Sequence, residues 1–220
     1  MKSNEKVKVW DPFVRVFHWA LLLAFTVAFV TEFSELKLHV VAGYTVALLV
    51  SLRIIWGVIG EKNAKFSDFV YPPATVVAHM KEMARLRHKR YLGHNPAAGT
   101  MALLLIVCLA ATTLTGVLTY GAKEISGPFS TMLLNSGWRY GNELEGIHNF
   151  LAWSTVLLAM MHVTGALTES FLHKENLVLA MFTGVKRKEL AVEHAWEGPK
   201  TPLEPVLLLK SVTQANQFKE

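Results

Sequence analysis

The stretch IHNFLAWSTVLLAMMHVTGALTESF, residues 147–171, decides how the chain is read. It is apolar for longer than the roughly 20 residues a helix needs to cross a ~30 Å hydrocarbon core. Yet it carries two histidines, His148 and His162. An imidazole held in lipid is costly and usually marks a functional site. Their spacing of fourteen residues corresponds to about 21 Å of helix, and to about 1400° of rotation, within ~40° of a whole number of turns. One helix thus presents two rings on nearly one side, at two depths.

Three further apolar stretches, residues 14–30, 38–59 and 99–120, have the length of membrane spans. The fold class is therefore an all-α membrane protein, a four-transmembrane-helix bundle. Of its 220 residues, 52% are hydrophobic and 18% charged, and the mean hydropathy is +0.32; an ordinary soluble domain is less apolar. Residues 1–188 read as one membrane domain, and residues 189–220, with Pro199, Pro202 and Pro205 among mixed charges, as a mobile tail. The first span lacks a small-residue cleavage site after it and is read as a retained helix.

Charge sets the expected orientation. The connection between spans two and three carries Lys62, Lys65, Lys81, Arg85, Arg87, Lys89 and Arg90, the N-terminus Lys2, Lys6, Lys8 and Arg15, and the tail Lys186, Arg187 and Lys188. The other two connections are slightly acidic, with Glu32, Glu35, Glu124, Glu143 and Glu145 against Lys37, Lys123 and Arg139. The positive-inside rule places both termini and the second connection in the cytoplasm. The net charge of +5 then reports topology and lipid headgroups rather than nucleic acid. After Pro72-Pro73, the stretch from Ala74 to Arg90 sets Val76, Val77, Met80, Met83 and Ala84 opposite its cations, the pattern of an amphipathic helix on the inner leaflet or of a solvated basic loop. The connection from Gly121 to Gly146 reads as a long outer loop with apolar residues including Met132, Leu134 and Trp138, suited to the interface or to a partner.

Depth sorts the histidines. His18 lies near the cytoplasmic start of span one, level with His162; His39 opens span two on the outer side, level with His148. Two imidazoles at each of two levels are the donor set of two bis-histidine haems, with span four as the common wall. Bis-imidazole ligation fills both axial positions of the iron and favours electron transfer over oxygen chemistry. Without a Cys-x-x-Cys-His motif there is no covalent haem attachment, and lone Cys108 reads as a small buried hydrophobe. Gly43 lies four residues after His39 and Gly165 three after His162, each on its histidine's helical face; with Gly116 they either clear room for a porphyrin or serve ordinary helix packing. Arg53, fourteen residues after His39, either binds a haem propionate bidentately or snorkels to the headgroups. His94, at the lip of span three, is placed to bond a propionate or a quinone carbonyl. His79, His88, His173 and His194 read as solvated or interfacial structure. A metal transporter is the rival, but intramembrane carboxylates or a cysteine cluster do not accompany the histidines.

Several motifs resemble those of bacterial cytochrome b561 proteins, a group that includes the b-type cytochrome subunit of nickel–iron hydrogenases. They are Val9-Trp10-Asp11-Pro12-Phe13-Val14-Arg15-Val16-Phe17-His18-Trp19, Leu52-Arg53-Ile54-Ile55-Trp56-Gly57, Gly93-His94-Asn95-Pro96, and the run from His173-Lys174-Glu175-Asn176-Leu177 to Met181-Phe182-Thr183-Gly184-Val185-Lys186-Arg187. The resemblance implies a four-helix inner-membrane cytochrome with two b haems that exchanges electrons with the quinone pool. It also implies that the iron ligands are His18, His39, His148 and His162, the four that depth had selected. The expected partner is a periplasmic redox protein, either a hydrogenase or a multihaem cytochrome. The alternatives are an enzyme that oxidises superoxide and reduces ubiquinone, as a similar branch does, and a haem-free anchor or transporter.

Overall fold

An aspartate followed by proline begins the first long helix. Asp11 accepts the backbone N–H of Val14 at 2.8 Å, and Pro12 fills the first helical position, where a missing N–H costs nothing. Asn95-Pro96 repeats the device, with Asn95 Oδ1 accepting from Ala98 at 2.7 Å. The computed structural model describes residues 6–85 and 91–187. Its elements in order are β1 (Lys6–Lys8), α1 (Pro12–Thr31), α2 (Leu36–Ile59), α3 (Phe66–Phe69), α4 (Pro73–Ala84), α5 (Pro96–Lys123), α6 (Ser130–Leu133), α7 (Gly137–Leu172), α8 (Leu177–Thr183) and β2 (Val185–Arg187).

Among the described residues, four helices are long and apolar enough to cross a membrane: α1, α2, α5 and α7. Helix α1 packs on α2, α2 on α5, and α5 most extensively on α7, whereas α1 and α7 share no comparable interface. A small core of Ala24, Val46, Val50, Ile106 and Leu109 joins α1, α2 and α5. In lipid this core is held by close packing rather than by expulsion of water. Between α5 and α7 the contact is partly polar: Thr112 and Thr155 hydroxyls meet at 3.3 Å, and Thr155 donates to Cys108 Sγ at 3.2 Å. Such interhelical bonds contribute about 0.6 kcal/mol each.

Sequence reasoning did not foresee the clamp that gathers the two ends of the membrane domain. Strand β1 pairs antiparallel with β2, Val7 opposite Lys186. A two-stranded ribbon is marginal alone, and here it is braced. Gly184 ends α8 at φ 81°, and its carbonyl accepts from Val9 and Trp10 at 2.8 and 3.1 Å. A Cβ at Gly184 would meet Trp10 O at 2.9 Å, so both the left-handed backbone and the close approach call for glycine. Arg15 donates to the Phe182 carbonyl, and Lys186 Nζ lies 5.6 Å from the Trp10 ring centre.

Two expectations change. The stretch between spans three and four is largely helical rather than a long loop, because α5 continues to Lys123 and α7 begins at Gly137. A helix leaving the bilayer can carry charges on its outer turns; Arg139 and Glu143 pair along one face of α7 at 3.1 Å, and Lys123 reaches Glu145 across from α5 at 2.7 Å. On α4, His79 is buried (4% exposed) and meets Tyr91 edge-on, whereas Val77 and Met80 face outward. The apolar stripe is therefore split between protein and surroundings, and His79 is not a solvated residue. The rest of the basic stretch, with His88, and the tail with His194 lie outside the described residues.

Candidate functional site

Histidines on different helices come together in twos. His18 on α1 faces His162 on α7 with ring centroids 6.4 Å apart. His39 on α2 faces His148 on α7 at 6.1 Å. Two imidazoles holding one metal ion from opposite sides, through bonds of about 2 Å and with each ring nitrogen about 1.1 Å from its centroid, would be about 6.2 Å apart. Both spacings suit a single iron between the rings. Among the described residues no three or more histidine, cysteine or acidic side chains gather into a metal cluster; the imidazoles face each other in twos.

Hydrogen bonding prepares the second pair. His39 Nδ1 lies 2.8 Å from the Ala28 carbonyl, and His148 Nδ1 2.9 Å from the Thr112 carbonyl. A carbonyl only accepts, so each Nδ1 carries the proton and each Nε2 keeps its lone pair for a metal. In the first pair, His18 Nδ1 is buried with no partner among the described residues.

Two glycines, Gly43 and Gly116, line a cleft beside the second pair. A cleft of about 220 Å³ is lined by Phe29, His39, Gly43, Gly116 and His148. A Cβ at Gly43, within this cleft, would meet nothing within 4 Å; the same holds at Gly165, which is exposed on the outside of α7. Gly116 differs, since a Cβ there would lie 2.9 Å from His148 Cε1; its role is to let the ring lie against α5.

Arg53 does not snorkel. It is buried (4% exposed), with its guanidinium 5.3 and 5.7 Å from the Phe66 and Phe69 ring centres. Nη1 has no hydrogen-bond partner among the described residues, and a buried cation with an unused donor suits a carboxylate ligand. His94 lies between Trp10 and Phe69, at 4.7 and 4.8 Å between centroids. Its Nδ1 is likewise buried without a partner among the described residues. Burial, with the cations of Lys186 and Arg53 nearby, pushes its pKa down to about 3; the ring is neutral. Its neighbour Asn95 donates to Glu169 at 3.0 Å, and Glu169 pairs with the half-buried His173 at 3.2 Å.

Sequence reasoning missed Asp11 and the threonines Thr112 and Thr115. Asp11 is buried and, besides capping α1, accepts from Trp56 Nε1 at 3.2 Å; the Asp-Pro pair carried that signal. The threonines sit beside His148 through backbone geometry that no residue pattern discloses.

Four membrane-length helices and imidazole pairs spaced for an iron ion define a multi-pass membrane cytochrome of the b type. The chain belongs to the prokaryotic cytochrome b561 family, whose family model matches residues 9–184. It is similar to a protein of Rhodobacter capsulatus named probable Ni/Fe-hydrogenase B-type cytochrome subunit, with 26% identity covering 84% of this chain and 82% of that one. Proteins of the same name match from Cupriavidus necator, at 27% identity covering 84% and 88%, and from Rhizobium leguminosarum bv. viciae, at 25% covering 83% and 89%. Electron transfer through b-type haem is the function this family supports.

Proposed function

We propose that the chain binds two haem b groups, one between His18 and His162 and one between His39 and His148, and carries electrons between the quinone pool and a redox partner in the periplasm. The observation that carries the reading is the matched spacing of the two pairs, 6.4 and 6.1 Å. When bound, haem b would supply a one-electron couple, and the four imidazoles would be the residues that hold it. The residues do the rest. Nδ1 bonds to backbone carbonyls orient His39 and His148. Gly43 opens onto the cleft beside His39 and His148, and Gly165 lies one helical turn from His162. Arg53 offers its free donor to a propionate, and His94 its Nδ1 to a propionate or to a quinone carbonyl.

The protein sits in the bacterial inner membrane among lipids, with both termini cytoplasmic, as the distribution of Lys and Arg supports. The His39/His148 level then faces the periplasm. The names of the relatives support a nickel–iron hydrogenase as the partner there, with a multihaem cytochrome as the other candidate. Enzymatic superoxide oxidation needs a positive field to draw in the anion; here Lys123 and Arg139 are paired with Glu145 and Glu143, which weighs against it.

Adding a reduced quinol to the oxidised, purified protein in lipid tests the quinone half of the reading. The b-type absorbance of the reduced haem should appear, and Arg53→Gln or His94→Gln should slow it. No reduction by either ubiquinol or menaquinol rejects a quinone substrate.

A further inference from the structure

The two carbonyls that hold the His39/His148 pair share the same surrounding. Each lies three residues before a threonine that turns its hydroxyl back along the helix. Thr115 Oγ1 donates to Ala111 O at 2.8 Å and to Thr112 O at 2.9 Å. Thr31 Oγ1 donates to Val27 O at 2.7 Å and reaches Ala28 O at 3.4 Å. Thr112 O and Ala28 O are the oxygens that accept from His148 and His39. The same arrangement thus occurs on two helices, α1 and α5, facing two histidines on two others. Thr115 Oγ1 is itself 3.5 Å from His148 Nδ1, at the limit of a hydrogen bond, so the carbonyl is the principal acceptor.

A carbonyl has two lone pairs. In an α-helix one is already engaged by the backbone N–H four residues on. The threonine hydroxyl and the imidazole N–H therefore compete for what remains. The stronger the imidazole's bond, the more basic its Nε2 and the more it favours the oxidised metal. A hydroxyl that draws on the same oxygen weakens that bond and favours the reduced metal.

We propose that the hydroxyls of Thr115 and Thr31 set the redox potential of the His39/His148 site by competing for the carbonyls of Thr112 and Ala28. Thr115 has the larger effect, because its contact is 2.9 Å against 3.4 Å for Thr31. Both act as positioning residues through backbone oxygens and touch no cofactor. The inference rests on the ligand assignment proposed above.

The test is a potentiometric titration of the purified, haem-loaded protein, read at the haem absorbance, with the wave of the His39/His148 site identified as the one lost in His39→Ala. Thr115→Val should move that wave to a more negative potential, and Thr31→Val should move it in the same direction by less. Thr115→Ser, which keeps a hydroxyl, should restore it. Thr26→Val should leave both waves in place, since Thr26 bonds only Leu22 O on an exposed face. Unmoved waves in both valine variants, a shift to more positive potential, or an equal shift in Thr26→Val overturns the inference while leaving the ligand assignment intact. Loss of the haem in Thr115→Val also counts against it, because a tuning hydroxyl leaves ligation in place. Persistence of both waves in His39→Ala overturns the ligand assignment, and the inference with it.

Discussion

His39 and His148 face each other at 6.1 Å with their ring planes at 88°, each tied through Nδ1 to a carbonyl of a neighbouring helix. The ring of His39 is held against α1 and that of His148 against α5, their closest packing partners. The gap between the two rings is therefore fixed by the two tightest helix pairs of the bundle and not by contact between the histidines.

If the space beside His39 receives a porphyrin, filling it should expel the porphyrin and leave the protein folded. Gly43→Leu places a side chain where a Cβ meets nothing within 4 Å, so the helix should tolerate it. Haem content should fall by one group per chain, with little change in the helical circular dichroism. A variant that keeps its full haem content would show that the space at Gly43 is not part of the site.

Arg53 should act on the other level. Fourteen residues along α2 from His39, about 21 Å at 1.5 Å per residue, its buried positive charge lies toward the level of the His18/His162 pair. A cation near an iron favours the reduced, less positive state. Arg53→Gln should move the His18/His162 wave to a more negative potential and leave the His39/His148 wave unchanged. Arg53→Lys should restore only part of the shift, because an ammonium cannot bind a carboxylate bidentately. A shift confined to the His39/His148 wave would contradict this placement.

His94 predicts an acid-sensitive fold. Its folded pKa, about 3, lies below the ordinary 6.5, so between these values the unfolded chain binds a proton that the folded chain does not. Stability then rises with pH across that window; it is fully present above about 6.5 and is lost as pH falls toward 3. In His94→Gln this contribution disappears, and the melting temperature should fall less between pH 6.5 and 4 than in the parent. Parallel pH profiles for the two proteins would contradict it.

Asp11→Ala removes the cap of α1 and the partner of Trp56 Nε1. Loss of an N-cap costs about 0.5–2 kcal/mol, and the orphaned indole adds to it because the site is buried. Asp11→Asn keeps an acceptor for Val14 and should recover most of the loss. Chemical denaturation in detergent measures both; equal stability of Asp11→Ala and the parent would show that the cap is dispensable.

The four spans were legible because nothing but a helix satisfies every backbone group across a bilayer, and the hydrophobic lengths were unmistakable. The grouping of His18 with His162 and His39 with His148 was legible because rise and rotation per residue are fixed. Arg53 showed in sequence as a charge in an apolar run, but whether it reached inward or toward the headgroups depended on Phe66 and Phe69, which come from a separate segment. The ribbon joining Lys6–Lys8 to Val185–Arg187 was not legible at all, since two three-residue strands carry no periodic signal. Nor was the burial of His79, whose ring meets that of Tyr91 twelve residues further along the chain. The charged stretch around Arg139 and Glu143 looked like a loop because its polarity marks the end of the membrane, not the end of the helix.

The central claim is that two pairs of histidines hold two b haems. Quantifying haem per chain in the purified protein, alongside His39→Ala and His18→Ala, tests it most directly. The account predicts two haems in the parent and one in each variant, with different waves lost in the two. A parent with one haem or none, or variants that lose the same wave, would contradict it.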